Sequence, residues 1–183
     1  MVDLALLQSV SYIAGALGVC VAAVFYVVNL NETNKNRRVT LTNNLMQSFL
    51  SEEGQLRFIE LLSMEWRDWE DFKKRYDSTV NPGNYAKRTT LWSTMEILGL
   101  QYRTGLLDLR TIYGVCGLWI LNSWIKFKSV IEEYRKIDYG SDFFENWEFL
   151  ANELATIKAG RDPSWKGSRS HLKPEEYDRA FNK

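Results

Sequence analysis

The run Val10-Ser-Tyr-Ile-Ala-Gly-Ala-Leu-Gly-Val-Cys-Val-Ala-Ala-Val-Phe-Tyr-Val-Val28 contains no charged or amide side chain, and Lys35, Arg37 and Arg38 follow it closely. As a helix it would be roughly 28 Å long, close to the ~30 Å hydrocarbon core of a bilayer. A segment of this kind fits few environments. A buried core helix usually keeps one polar face, and this run has none. A cleaved signal peptide starts with a basic n-region, whereas residues 1–9 carry Asp3 and no Lys or Arg. The expectation is one transmembrane helix that contacts the lipid bilayer through residues 10–28.

Charge asymmetry gives the span a direction. The basic cluster Lys35, Arg37 and Arg38 flanks its C-terminal end, so the positive-inside bias places the N-terminus outside and residues 31–183 in the cytosol. The expected location is a cell membrane, crossed once. Tyr12 and Tyr26 stand near the two ends, where interfacial rings are common. Ala14, Gly18 and Ala22 recur every four residues and share one helix face, the spacing that lets two membrane helices approach closely. That face is a candidate for helix association.

Beyond the span, helical spacing recurs and no alternating strand pattern is convincing. Leu41, Leu45 and Phe49 continue the basic cluster without Pro or Gly, so the first helix is expected to extend to about Leu50. Ser51 with Glu52 and Glu53 marks a fresh start. Phe58, Ile59, Leu62 and Trp66 form the next apolar face, continued by Trp66–Tyr76. Asn81-Pro82-Gly83-Asn84 predicts a loop, and Tyr85–Arg103 a helix with the stripe Leu91, Met95, Leu98 and Tyr102. Gly105 is placed to end that helix and Asp108 to cap the next.

The longest helix is expected from Leu109 to Arg135, central and touched on several sides, with Val115 and Leu118 widening its face. Its uncharged part, Thr111–Ile125, is too short for a second span. After a turn at Tyr139–Asp142, Phe143–Lys158 predicts the last core helix. The resulting fold class is all-α, one N-terminal transmembrane helix followed by a cytosolic bundle of five or six helices. Its segments are 1–30 (flank and span), 31–50 (juxtamembrane helix), 51–158 (bundle) and 159–183. The last is a polar tail, expected to be mobile or loosely docked, in which Pro174 could start a short helix.

The chemistry-bearing residues are sparse. One histidine, His171, lies in the tail, and the two cysteines, Cys20 and Cys116, are expected to be small buried hydrophobes. No HExxH, GxGxxG or P-loop pattern is present. No catalytic residue, metal ligand or cofactor is therefore assigned. A formal net charge of zero argues against general nucleic-acid binding. The acidic cluster Glu65, Asp68, Glu70 and Asp71 fits a solvated helix start. Glu96, at the edge of its stripe, suggests a half-buried ion pair with Arg103 or Arg135. Most of the seven tryptophans fall on faces that need filling, but Trp165 stands in the polar tail and is the candidate for contact with a partner or with headgroups.

The span, then Asn34-Lys-Asn-Arg-Arg, Trp69-Glu-Asp-Phe with Asn81-Pro82, Met95-Glu-Ile-Leu-Gly-Leu, Arg103-Thr-Gly-Leu-Leu-Asp108 and Trp124-Ile-Lys-Phe followed by Arg135 form a recognisable series. Over most of residues 10–155 it resembles a family of uncharacterised, membrane-anchored helical proteins of bacteria and archaea, catalogued as a domain of unknown function. The resemblance implies a short helical cytosolic domain on one span and carries no catalytic role. The expected function is a membrane-tethered interaction or accessory module with protein partners or self-association. A membrane-bound enzyme with an unrecognised carboxylate, arginine and aromatic site, or a small subunit of a larger membrane complex, are the other expectations.

Overall fold

The computed structural model describes residues 4–167, 172 and 174–181. It is all-helical, with no strand among the described residues. The helices are α1 (Leu4–Leu50), α2 (Glu52–Leu62), α3 (Trp69–Tyr76), α4 (Pro82–Arg103), α5 (Leu109–Tyr134), α6 (Glu145–Arg161) and α7 (Pro174–Phe181), and a π-helical segment, Arg135–Tyr139, extends α5. The chain divides into two compact units, residues 1–45 and 46–183.

The first unit is helical from Leu4 onward, and α1 continues without a break to Leu50. Within it, Leu7–Arg37 is long and apolar enough to cross a membrane, and none of that stretch's apolar window is buried. Val10 is 58% exposed and Phe25 67%. The side chains of Leu41, Leu45 and Phe49 lie outside the described residues.

In the second unit the helix starts follow local chemistry. Ser51 accepts a hydrogen bond from the Gly54 N–H, Asn81 from Asn84, and Asp108 from Thr111, each satisfying a donor that a first helical turn leaves open. Gly105 takes the left-handed conformation after α4, as its position suggests. Three helix starts differ from the sequence pattern, and α6 runs on to Arg161 rather than ending at Lys158. Trp66–Tyr76 is not one helix, because Asp68 accepts from the Asp71 N–H and starts α3 at Trp69. The fourth helix begins at Pro82 rather than Tyr85. The sixth begins at Glu145 rather than Phe143, because Phe144 itself is left-handed, with φ 57°.

α5 is central, packing against α2, α6 and α7. Ile120, Leu121, Trp124, Phe127 and Ile131 are fully enclosed, whereas Val115 and Leu118 remain exposed and do not widen the buried face. Trp92, Trp124 and Trp147 fill the core, the last two edge to face at 5.1 Å. The tail is packed rather than loose at its helical part. α7 lies on α5, and Ile125, Leu172, Tyr177 and Ala180 share a small apolar cluster.

α4 and α6 come into close backbone contact. A Cβ at Gly99 would fall on the Asn146 backbone carbonyl, so the two backbones meet where only a glycine fits. Gly99→Ala is expected to lower stability by about 1–3 kcal/mol or more through overpacking, read as a reduced denaturation midpoint with an unchanged slope. An unaltered midpoint would show that the helices separate freely at this point.

Candidate functional site

The polar residues singled out in the sequence converge on the start of α6. A first turn leaves four N–H groups open, and Phe144 offers no side-chain cap. The Glu148 N–H makes the first bond of the helix, to the Phe144 carbonyl at 3.2 Å, and the Glu145 N–H donates to the Asp142 carbonyl at 3.0 Å. The two donors between them turn to another helix. The Asn146 N–H reaches Glu96 Oε1 at 3.3 Å, and the Trp147 N–H reaches Glu96 Oε2 at 2.8 Å. Glu96 thus caps α6 from α4, and its negative charge also suits the helix dipole.

Glu96 is half-buried, as its stripe position suggests, but its hydrogen bonds go to α6 and not to a guanidinium. Asn146 stands between the carboxylate and Arg103. Its amide Nδ2 donates to Glu96 Oε1 at 2.6 Å, and its Oδ1 accepts from Arg103 Nη1 at 3.0 Å. Arg103 pairs instead with Glu145, at 3.0 Å. Arg135 approaches from the other side, donating from Nε to the Phe143 carbonyl at 2.8 Å and from Nη1 to Glu148 at 2.7 Å. The three residues form one polar joint through α6.

A second feature was not singled out in the sequence. Arg88 on α4 is fully buried, and its guanidinium lies 4.7 Å from the Phe72 ring centre and 5.0 Å from those of Tyr85 and Trp92. Nη2 donates to the Tyr76 carbonyl at 3.2 Å, whereas Nε and Nη1 meet no hydrogen-bond acceptor among the described residues. Burial pulls the guanidinium down from its ordinary value, yet an arginine stays charged at neutral pH. The rings stabilise it through cation–π attraction. Burial also pushes the Tyr134 hydroxyl up, and pushes the Cys116 thiol up to about 12, so Cys116 is an inert core residue.

A third feature is a cleft of about 550 Å³ between the α2–α3 connection, α3, α5 and α7. Lys126 lies against it with 8% of its side chain exposed, 3.4 Å from Glu176 and 5.0 Å from the Trp66 ring centre. Lys128 donates to the Ala180 carbonyl at 2.7 Å. On the opposite wall, Asp71 accepts from the Arg67 N–H at 3.1 Å and from Arg75 Nε at 2.8 Å. The Arg67 backbone bond first, and then Arg75, hold the Asp71 carboxyl below its usual range against the opposing effect of burial. Of the acidic cluster, Asp68 caps α3, Glu70 pairs with Lys73, and Glu65 borders the cleft. No group of three or more His, Cys, Asp or Glu side chains suited to a metal occurs among the described residues. His171 lies outside them.

Trp165, expected to meet a partner or headgroups, packs within the chain. Its ring meets Tyr177 edge to face at 5.6 Å, with Lys158 Nζ 5.3 Å from its centre. On α1, Lys35 and Arg37 are exposed, and the Arg38 side chain lies outside the described residues. Ala14, Gly18 and Ala22 are exposed too, with open space around Gly18.

A model of a domain of unknown function, DUF4760, matches residues 13–154. The chain belongs to that family. No curated protein and no solved structure matches it. The DUF4760 match spans most of α1, all of α2 to α5 and the first part of α6, including the joint around Glu96 and the Arg88 cage. It stops short of α7.

Two outcomes test these sites. Arg88→Met keeps the volume and removes the desolvated charge, so thermal unfolding is expected at an equal or higher temperature; a marked fall would show that the guanidinium itself holds the core together. Asp71 has a depressed folded pKa. Its contribution to stability is therefore present above the ordinary carboxylate range, near pH 4, and disappears as the pH falls through the lower folded value. Asp71→Asn should remove that part of the acid limb in a plot of Tm against pH.

Proposed function

We propose that this DUF4760 protein is a membrane-tethered helical interaction module. Residues 10–28 cross the bilayer, the N-terminal side faces outward, and residues 31–183 lie in the cytosol. The observation that carries this reading is the exposure of Leu7–Arg37: a long, apolar helical stretch with no buried apolar window lacks the cover that a soluble core helix would have. Lys35 and Arg37, exposed just beyond the span, support the inward direction of its C-terminal end.

Charged and amide side chains in the second unit are largely engaged by their neighbours, as at the Glu96–Asn146–Arg103 joint. This supports a scaffold that presents surfaces to protein partners. Self-association through Ala14, Gly18 and Ala22 is consistent with their small size and common face.

Topology reporters at the two ends of the full chain test the tether. A cytosolic signal from the C-terminal reporter and an external one from the N-terminal reporter are expected, and a fully extractable protein at high pH would overturn the span. Replacing Lys35, Arg37 and Arg38 together by Glu should produce mixed or inverted orientations. Gly18→Leu should weaken crosslinking between copies in the membrane if the small-residue face associates, with the monomer becoming the main species.

A further inference from the structure

We propose that the cleft between the α2–α3 connection, α3, α5 and α7 is a binding site for a phosphate-type oxyanion, with the Glu176 carboxylate of α7 occupying the anion's place in the structure. The argument starts from Lys126. Its side chain is 8% exposed and belongs to α5, inside the family-matched residues 13–154. A nearly buried ammonium needs a counter-charge. That charge comes from Glu176, on a helix beyond the matched region. The domain therefore supplies a desolvated cation, and an added helix supplies its anion.

The contact has the character of a replaceable pairing. At 3.4 Å it is longer than the 2.7–2.9 Å of strong charge-assisted bonds. Around it the cleft is lined by further cationic side chains, with the Glu65 and Asp71 carboxylates among them. Arg75 reaches Asp71 through Nε, and that one bond uses one edge of a fork suited to oxyanions. Arg67 and Arg179 also border the space, both exposed. An arginine fork and the point charge of a buried lysine, lining one cleft, match the several acceptor oxygens of a phosphate better than they match one carboxylate. An anion that displaces Glu176 from Lys126 would remove one of the pins of α7, others of which are Lys128 to Ala180 and Lys166 to Asp178. The Trp165–Tyr177 contact would report the change.

The test uses the full chain in nonionic detergent at constant ionic strength, titrated separately with inorganic phosphate and with short-chain phosphatidic acid. Tryptophan fluorescence and hydrogen exchange over 172–181 are the readouts. Saturable binding is expected with at least one probe, tightened about fivefold in Glu176→Gln because the internal competitor is gone, and lost in Lys126→Met. Saturation by phosphate assigns the site to free phosphate groups; saturation by phosphatidic acid alone assigns it to a lipid headgroup. Binding that is absent from both the wild type and Glu176→Gln, or no tighter in Glu176→Gln, or equally tight in Lys126→Met, would overturn the proposal. Glu176→Gln changes only a partly exposed side chain, so this arm remains decisive even where Lys126→Met unfolds.

Discussion

The second unit depends on a helix end that cannot cap itself. α6 starts after a left-handed Phe144 with no side-chain cap, and a carboxylate from α4 completes its first turn. Two constraints make that possible. Gly99 lets the α4 and α6 backbones come together one turn beyond Glu96, and Arg135 holds the chain entering α6 through the Phe143 carbonyl. Helix packing and helix capping are therefore a single arrangement here. The left-handed Phe144 costs about 1–3 kcal/mol of backbone strain, opposed by its ring contacts with Phe143, Trp92 and Trp147.

The π-helical turn has a place in the same arrangement. It ends α5 with Tyr134 and Tyr139 edge to face, and Tyr139 then stacks on Phe143 at 4.4 Å. This aromatic ladder leads from the central helix to the strained residue at the start of α6. The Trp92 ring touches both the ladder and the Arg88 guanidinium, so the buried cation and the helix joint share a wall. The surface cleft on the α7 side has a different character, with the nearly buried Lys126 among exposed arginines and a short helix as its cover.

Much of the helix order is legible from local chemistry. Ser51 and Asp108 are recognisable caps, and Gly105 is a recognisable stop, because each acts within a few residues of itself; Asn81 caps α4 in the same way, but with Pro82 and Gly83 it reads as a loop. Asp68 has the same property, but the surrounding Trp66–Tyr76 pattern reads equally well as a continuous helix and obscures it. The Glu96 joint lies beyond such reasoning. Its half-buried position follows from the stripe, whereas its partners are two backbone N–H groups and a side-chain amide about fifty residues away that no spacing reveals. Arg88 could have been found by carrying the stripe Leu91, Met95, Leu98 back by one further step. A charged side chain ordinarily prefers the surface, and the three rings that offset that preference come from tertiary packing. The Tyr177 contact of Trp165 is hidden for a related reason: eight residues of α7 give too weak a pattern to show that an aromatic ring there packs on it.

Asn146 has a consequence for the lifetime of the folded chain. It is the neutral link between a carboxylate and a guanidinium, and its amide points one way because Nδ2 serves Glu96 and Oδ1 serves Arg103. An asparagine is also a thermolabile side chain. Hydrolysis of that amide would set a second carboxylate against Glu96 and withdraw a donor from it, while leaving the charge facing Arg103 more negative. Slow chemical ageing at one atom would thus attack the cap of α6 and the close contact of α4 with α6 together, with no change in the apolar core.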